Sequence, residues 1–220
     1  MDILETSFRG VYTDREGNIY TRNAVPGTEV YGEKLVNSNG IEYRQWIVKR
    51  SKLGAYLTKN PSVFPFSETS CVLYLGAATG TTCSHLSDIC SSGKIFAVEF
   101  SPRVFRELLI LAERRRNIFP ILEDARYPNR YMHIVPPVDV VFQDISQRDQ
   151  VSIFLRNVKT YLRKDGTGML SLKARCIDFA KDPHEIYAET RKELESVCKV
   201  IEVKDLSPLE KDHAMFYIKV

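Results

Sequence analysis

The sequence predicts an α/β fold: a mostly parallel sheet, covered by helices on both faces, that ends in one antiparallel strand. Three observations carry this expectation. From residue 71 onward, short apolar runs with strand character alternate with helical stretches, as in a parallel sheet with helical crossovers. The run VDVVFQ at 138–143 is largely apolar, as a central strand buried on both faces should be. Only residues 206–213 separate the last two strands. That is too short for a helical crossover, so the seventh strand should run antiparallel.

The elements follow in order. Residues 1–50 read as a small β-rich domain made of hairpins, and 51–220 as a Rossmann-like domain. Runs at 7–12 and 18–21 flank a turn, Asp14-Arg15-Glu16-Gly17. Runs at 29–35 and 41–43 flank Asn37-Ser38-Asn39-Gly40, which contains the Asn-Gly hairpin signal. Residues 45–59 turn helical, with Trp46, Ile47, Leu53 and Leu57 apolar, and Asn60-Pro61 should stop the helix. Strands are then expected at 72–75, 94–100, 118–122, 138–143, 168–173, 199–205 and 214–220. Helices are expected at 82–90, 102–115, 150–162 and 183–197. A seven-stranded mixed sheet with its last strand antiparallel is the layout of Rossmann-like methyltransferases. The chain has no internal repeat and no low-complexity tract.

Composition bounds the function classes. With 220 residues there is room for one full α/β domain and a small appendage. A net charge of +3 permits a polyanionic partner without demanding one, and a protein that held RNA alone would usually be more basic. The five cysteines include no C-x-x-C pair, so neither a disulfide framework nor a zinc knuckle is suggested and no metal is expected. The opening MDILETSFRGVYTDREG lacks the apolar run of a signal peptide. No stretch approaches the roughly 20 apolar residues of a membrane span. These features lead us to expect a soluble, cytoplasmic protein with no membrane partner.

The loop LYLGAATGTT at 73–82 joins the first strand of the large sheet to its helix. Gly76, Ala78 and Gly80 are small enough for the backbone to approach a ligand closely, and the helix N-terminus offers free N–H groups. The spacing is G-x-x-x-G, without the G-x-G-x-x-G cradle that a pyrophosphate needs, so a nicotinamide oxidoreductase is disfavoured. A ligand with an amino-acid tail and a nucleoside, such as S-adenosylmethionine, fits better. Glu99 ends the next strand, about twenty residues on, where a carboxylate can accept from both ribose hydroxyls. Asp124 follows the third strand and is placed to accept from an adenine amino group, with the Ala125 backbone beside it. Three such residues at three successive strand ends lie on the rim where open α/β sheets bind ligands.

The same rim carries candidate catalytic groups. Asp144 ends the fourth strand and Lys173 the fifth, and His213 precedes the seventh. Because the seventh strand is antiparallel, its start meets the other strands' ends, and the three side chains should converge. Lys52, on the helix before the first strand of the large sheet, is placed to fold over this rim.

These residues sit in stretches that resemble the fibrillarin family in its short archaeal form. The matching stretches are NAVPGTEVYGEKL, YRQW…KRSKLGA, LYLGAATGTTCSHLSD, VEFSPR, EDARYP, QDISQ, SLKARCID and DHAMFYIKV, in family order over nearly the whole chain. The resemblance implies methylation of ribose 2′-hydroxyls in rRNA and tRNA, with S-adenosylmethionine as methyl donor, at positions chosen by a box C/D guide RNA. It implies partnership with a Nop-type scaffold protein and a kink-turn-binding ribosomal-like protein. The family's Lys-Asp-Lys-His set falls on Lys52, Asp144, Lys173 and His213. Its cofactor contacts fall on Thr81, Thr82, Glu99, Phe100, Asp124, Ala125, Asp144, Ile145, Ser146 and Gln147. Two departures stand out. Trp46 is followed by Ile47-Val48-Lys49 rather than Asn/Asp-Pro, and the Gly/Arg-rich arm of the eukaryotic proteins is absent from this sequence.

The chemistry needed is in-line displacement at carbon by a weak nucleophile, so alignment and handling of one proton are the tasks. A lysine beside a cation in a dry pocket is pushed toward its neutral form. Lys173 therefore either takes the hydroxyl proton or stays charged and steers the hydroxyl, and the sequence leaves both open. Two other readings predict different behaviour: a methyltransferase for proteins or small molecules would act without guide RNA, and a non-catalytic assembly subunit would transfer nothing. His85 reads as a packed or capping histidine inside its helix, and Arg114-Arg115-Arg116 as a complement to a helix dipole or an RNA contact.

Overall fold

The computed structural model describes residues 2–220. Two sheets organise them. The first is antiparallel and comprises β1 (Leu4–Glu5), β2 (Tyr12–Thr13), β3 (Ile19–Arg22), β4 (Leu35–Ser38) and β5 (Ile41–Trp46), in the order β1-β2-β3-β5-β4. The β4–β5 hairpin turns at Asn39 and Gly40, both at positive φ (52° and 78°), which an Asn-Gly pair adopts at little cost. Two of the expected strand runs are largely turns. Residues 7–10 fold back through Gly10, and only Tyr12–Thr13 pairs as a strand. Residues 30–33 close around the Glu33 carboxylate, which accepts N–H bonds from Val30 and Tyr31.

The helix expected over 45–59 is also shorter. Gln45 and Trp46 finish β5, Val48–Arg50 form one 3-10 turn, and α1 spans only Lys52–Leu57. The cause is tertiary. Trp46 is 1% exposed and stacks on His85 with ring centroids 4.6 Å apart, which holds the indole on the strand face. Ser51 then caps α1, its hydroxyl accepting from the Gly54 N–H at 3.1 Å.

The second sheet contains β6 (Cys71–Leu75), β7 (Lys94–Glu99), β8 (Ile118–Leu122), β9 (Val138–Gln143), β10 (Leu162–Lys173), β11 (Lys199–Asp205) and β12 (His213–Lys219). Its order is β11-β12-β10-β9-β6-β7-β8. The last strand is antiparallel to both neighbours, as the short 206–213 connection requires. β10 starts six residues before the expected 168 because α4 (Gln150–Tyr161) runs straight into it. Leu162 pairs with Val138, the register slips near Asp165 (φ 63°), and pairing resumes at Thr167–Val140.

Helices cover both faces. On one side α1, α2 (Thr81–Ile89) and α3 (Pro102–Arg114) bury Leu53, Leu86 and Leu108 against Val72, Tyr74, Phe142 and Met169. That apolar cluster continues into the first sheet through Val11, Ile19 and Trp46. On the other side α4 and α6 (Pro183–Glu195) bury Phe154, Val158 and Leu194 against Leu73, Val141 and Leu170. Each such side chain contributes about 1.5–3 kcal/mol by leaving water. A short helix that the sequence did not suggest, α5 (Ala174–Ile177), follows β10 directly. The five cysteines are free thiols. Among the described residues no helix is long and apolar enough to cross a membrane.

Candidate active site

A cavity of about 280 Å³ opens where β6, β7, β8 and β9 end. Its lining includes Gly76, Ala78, Glu99, Phe100, Asp124 and Ala125, and the consecutive residues Asp144, Ile145, Ser146 and Gln147. The backbone shapes it. Gly76 has φ 82°, and a Cβ there would stand 2.5 Å from the Asp144 carbonyl oxygen, so only glycine fits. Its N–H and that of Ala77 both donate to the Val98 carbonyl, which curls the loop over β7. Ala78 (φ 50°) continues the turn and donates its N–H to the Glu99 carboxylate at 3.1 Å. The other Glu99 oxygen accepts from the Ser101 N–H at 2.9 Å. Two fixed N–H donors hold this carboxylate, 8% exposed, at the cavity wall, and each oxygen retains capacity for a ligand hydroxyl. Asp124 is held by Arg126, whose guanidinium approaches to 2.6 Å and keeps the carboxyl below its ordinary range.

The polar groups gather beside this cavity. Lys52 Nζ lies 3.2 Å from Asp144 Oδ1, so the start of α1 does reach over the end of β9. Lys173 and His213 are direct cross-strand partners on β10 and β12, which puts both side chains on one face. The His213 ring Nδ1 lies 2.8 Å from the Lys211 carbonyl. A carbonyl only accepts, so Nδ1 carries the proton and Nε2 is left as an acceptor. Burial holds His213 below the usual imidazole range. The Lys52 charge adds to that effect, while the Lys211 carbonyl, Glu210 and Asp144 oppose it. The ring is therefore neutral at neutral pH.

Some expected cofactor residues turn elsewhere. Gly80 packs under α3, where a Cβ would stand 2.3 Å from Leu111. The buried Thr82 hydroxyl donates to Ser51 at 2.9 Å, tying α2 to the cap of α1. Thr81 lines a separate cleft with Tyr31, Arg50 and Arg114. Among the described residues no group of three His, Cys, Asp or Glu side chains is arranged to hold a metal ion.

The same architecture recurs in known proteins. A family model for fibrillarin matches residues 3–220. The fibrillarin-like rRNA/tRNA 2′-O-methyltransferase of Thermococcus onnurineus is 49% identical over 224 residues, spanning 100% of this chain and 99% of that one. The chain belongs to the fibrillarin family. The solved structure of Aeropyrum pernix fibrillarin, in complex with natively bound S-adenosyl-L-methionine, matches with a TM-score of 0.91 at 44% identity, covering 99% of this chain and 98% of that chain. A chain in a fibrillarin/Nop5p complex matches with a TM-score of 0.89 at 38% identity, covering 96% of this chain and 97% of that chain. The fold is accordingly the α/β fold of S-adenosylmethionine-dependent methyltransferases.

Within this fibrillarin-family site, three residues escaped the sequence reading. Ser51 joins the Lys52 helix to α2 through Thr82, Arg126 covers Asp124 at the cavity, and Gln150 bonds the backbone of Lys173. Each is a polar residue of a common type whose sequence neighbours give no sign of its direction. The unusual Trp46-Ile47-Val48-Lys49 entry is resolved by the 3-10 turn at Val48–Arg50, which delivers Ser51 and Lys52 to the rim.

Proposed function

We propose that the chain transfers a methyl group from S-adenosylmethionine to ribose 2′-hydroxyls of rRNA and tRNA. The observation that carries the reading is the juxtaposition of a nucleoside-suited cavity, walled by Glu99 and Asp124, with the paired Lys52–Asp144 and Lys173–His213 groups. The T. onnurineus relative is named for this activity, and the A. pernix relative holds S-adenosyl-L-methionine. Glu99 would accept from the cofactor's ribose hydroxyls, Asp124 from its adenine amino group, and the 144–147 stretch would close the cavity beside it. Bound there, S-adenosylmethionine supplies a methyl carbon activated by a cationic sulfonium.

This chain's residues do the rest. Asp144 holds the Lys52 ammonium and adds a negative charge beside the donor's cationic centre. Lys173 takes or steers the ribose proton. Neutral His213 offers Nε2 as a second acceptor for the substrate hydroxyl. We place this activity in a ribonucleoprotein in which a box C/D guide RNA selects the nucleotide. A Nop-type scaffold would carry the chain, as the fibrillarin/Nop5p complex suggests, with a kink-turn-binding ribosomal-like protein completing the particle. The mild net charge of +3 suits a subunit that borrows its RNA affinity.

The test is transfer of labelled methyl to a guide-matched RNA with the reconstituted partners, followed by mapping of the modified atom. Label on a ribose 2′-oxygen opposite the guide is expected. Label on protein or on a base, or transfer independent of the guide, would overturn the reading. Glu99→Ala should weaken S-adenosylmethionine binding by about 10-fold to 100-fold, because a hydrogen bond to a charged group is worth about 1.5–3 kcal/mol. Calorimetric titration that finds an unchanged affinity would remove Glu99 from the cofactor site.

A further inference from the structure

The parallel pairing of β9 with β10 ends at Gln143–Leu170, three residues before Lys173. Beyond it β10 has no strand partner on this side, because β9 ends at Gln143. The end of β10 would therefore face the β9 side with its peptide groups bare. The side chain of Gln150, at the start of α4, fills the gap. Its Oε1 accepts from the Lys173 N–H at 2.9 Å, and its Nε2 donates to the Lys173 carbonyl at 3.0 Å. The residue is 0% exposed, and its own carbonyl accepts from the Gln143 side chain at 2.7 Å. A carboxamide carries a donor and an acceptor side by side, so it stands in for the missing strand neighbour.

This pairing has a consequence for the other edge of β10. With its N–H and C=O both turned toward Gln150, Lys173 meets His213 as a non-hydrogen-bonded antiparallel pair, the type that brings side chains closest. The flanking bond from the Ala174 N–H to the Asp212 carbonyl at 2.9 Å agrees with that alternation. We infer that Gln150 is a positioning residue: its buried carboxamide fixes the backbone of Lys173 and so sets where the side-chain amino group stands relative to His213 and the Lys52–Asp144 pair. The role rests on the methyltransferase reading above, because it is exercised in that reaction.

The test uses the reconstituted complex with a guide-matched RNA. Gln150→Met keeps the side-chain bulk and loses both bonds. It should lower kcat by about tenfold to a hundredfold, the scale of a small misplacement at a reacting centre, with S-adenosylmethionine affinity and the KM for RNA unchanged. Gln150→Glu supplies the conservative arm. A protonated carboxyl donates and accepts as the amide does, whereas the ionised form sets a negative oxygen against the Lys173 carbonyl. Burial favours the protonated form, so this variant should approach the wild-type rate at low pH, and its ratio to wild type should fall as pH rises. In a Lys173→Ala background Gln150→Met should cost nothing further. A wild-type rate for Gln150→Met, a ratio for Gln150→Glu that is flat with pH, or full additivity with Lys173→Ala would each overturn the role. Should Gln150→Met fail to fold, Gln150→Glu carries the test by itself. A wild-type complex that transfers no methyl group would instead overturn the methyltransferase reading, and this role with it.

Discussion

Lys173→Ala is expected to reduce methyl transfer by about 10²-fold to 10⁴-fold, the usual contribution of a positioned proton-handling group, while S-adenosylmethionine binding survives. The separation follows from the geometry. Lys173 is not among the residues that line the cofactor cavity, and it stands at the end of β10 opposite His213. Single-turnover transfer and calorimetric binding measure the two quantities independently. Lys173→Arg then distinguishes the two possible roles. Arginine keeps the positive charge but does not deprotonate in a protein, so it would preserve part of a purely orienting function and none of a proton-accepting one. His213 supplies a further constraint. Burial lowers its range, so it stays neutral through neutral pH and protonates only on the acidic side of an ordinary histidine. Loss of activity from this cause should appear only on acidification below that range. Near-normal turnover by Lys173→Ala would mean that the rim has been assigned to the wrong group.

How far this site was legible depends on what kind of signal each residue leaves. Glu99, Asp124, Asp144, Lys173 and His213 lie within two residues of strand ends, and strand ends can be read from where an apolar run stops. Gly76 was legible for a similar reason, since a close turn after a strand calls for a residue with no Cβ. The direction of a polar side chain leaves no such mark. Thr82 bends inward to Ser51 because the cap of α1 sits beneath it, and Gln150 is spent on a peptide group twenty-three residues away. The helix expected over 45–59 failed for the same physical reason. The apolar spacing of Trp46, Leu53 and Leu57 was real, but the Trp46 ring is held by His85, thirty-nine residues on, so strand pairing prevailed at that end. Local pattern located the strands and the rim, and contacts distant in sequence decided the remainder.

Asp88→Asn is expected to destabilise the fold by about 3–5 kcal/mol, the cost of leaving buried charge without its partner. Its carboxylate joins the two sheets. One oxygen accepts from Arg44 Nη1 on β5 and from the Thr21 hydroxyl on β3, each at 2.8 Å. The other accepts from Arg115 Nη1, just after α3, at 2.5 Å and from the Ala24 N–H at 3.0 Å. Arg44 also binds Glu33 Oε1 at 2.6 Å, so two guanidinium groups face two carboxylates, all four side chains buried. Burial opposes the charge on Glu33, but the Tyr31 N–H and Arg44 outweigh it and lower its range. The network also fixes a tautomer. Thr21 spends its proton on Asp88, so His85 Nδ1 must donate to the Thr21 oxygen at 2.7 Å, and Nε2 accepts from the Tyr31 hydroxyl at 2.6 Å. Burial keeps that ring neutral, as this pattern requires. Removing the Asp88 charge leaves two guanidinium groups against one carboxylate and loosens the first sheet from α2. At about 2–4 °C per kcal/mol for a chain of this size, Tm should fall by about 6–20 °C. Because α2 begins at the end of the glycine loop, S-adenosylmethionine affinity should fall with it. The apolar double variant Arg115→Met with Asp88→Leu should recover part of the loss, since it removes the guanidinium left without a partner and leaves Arg44 paired with Glu33. Thermal unfolding followed by circular dichroism checks the series, and a change below about 1 kcal/mol for Asp88→Asn, typical of an exposed pair, would show that water reaches this cluster.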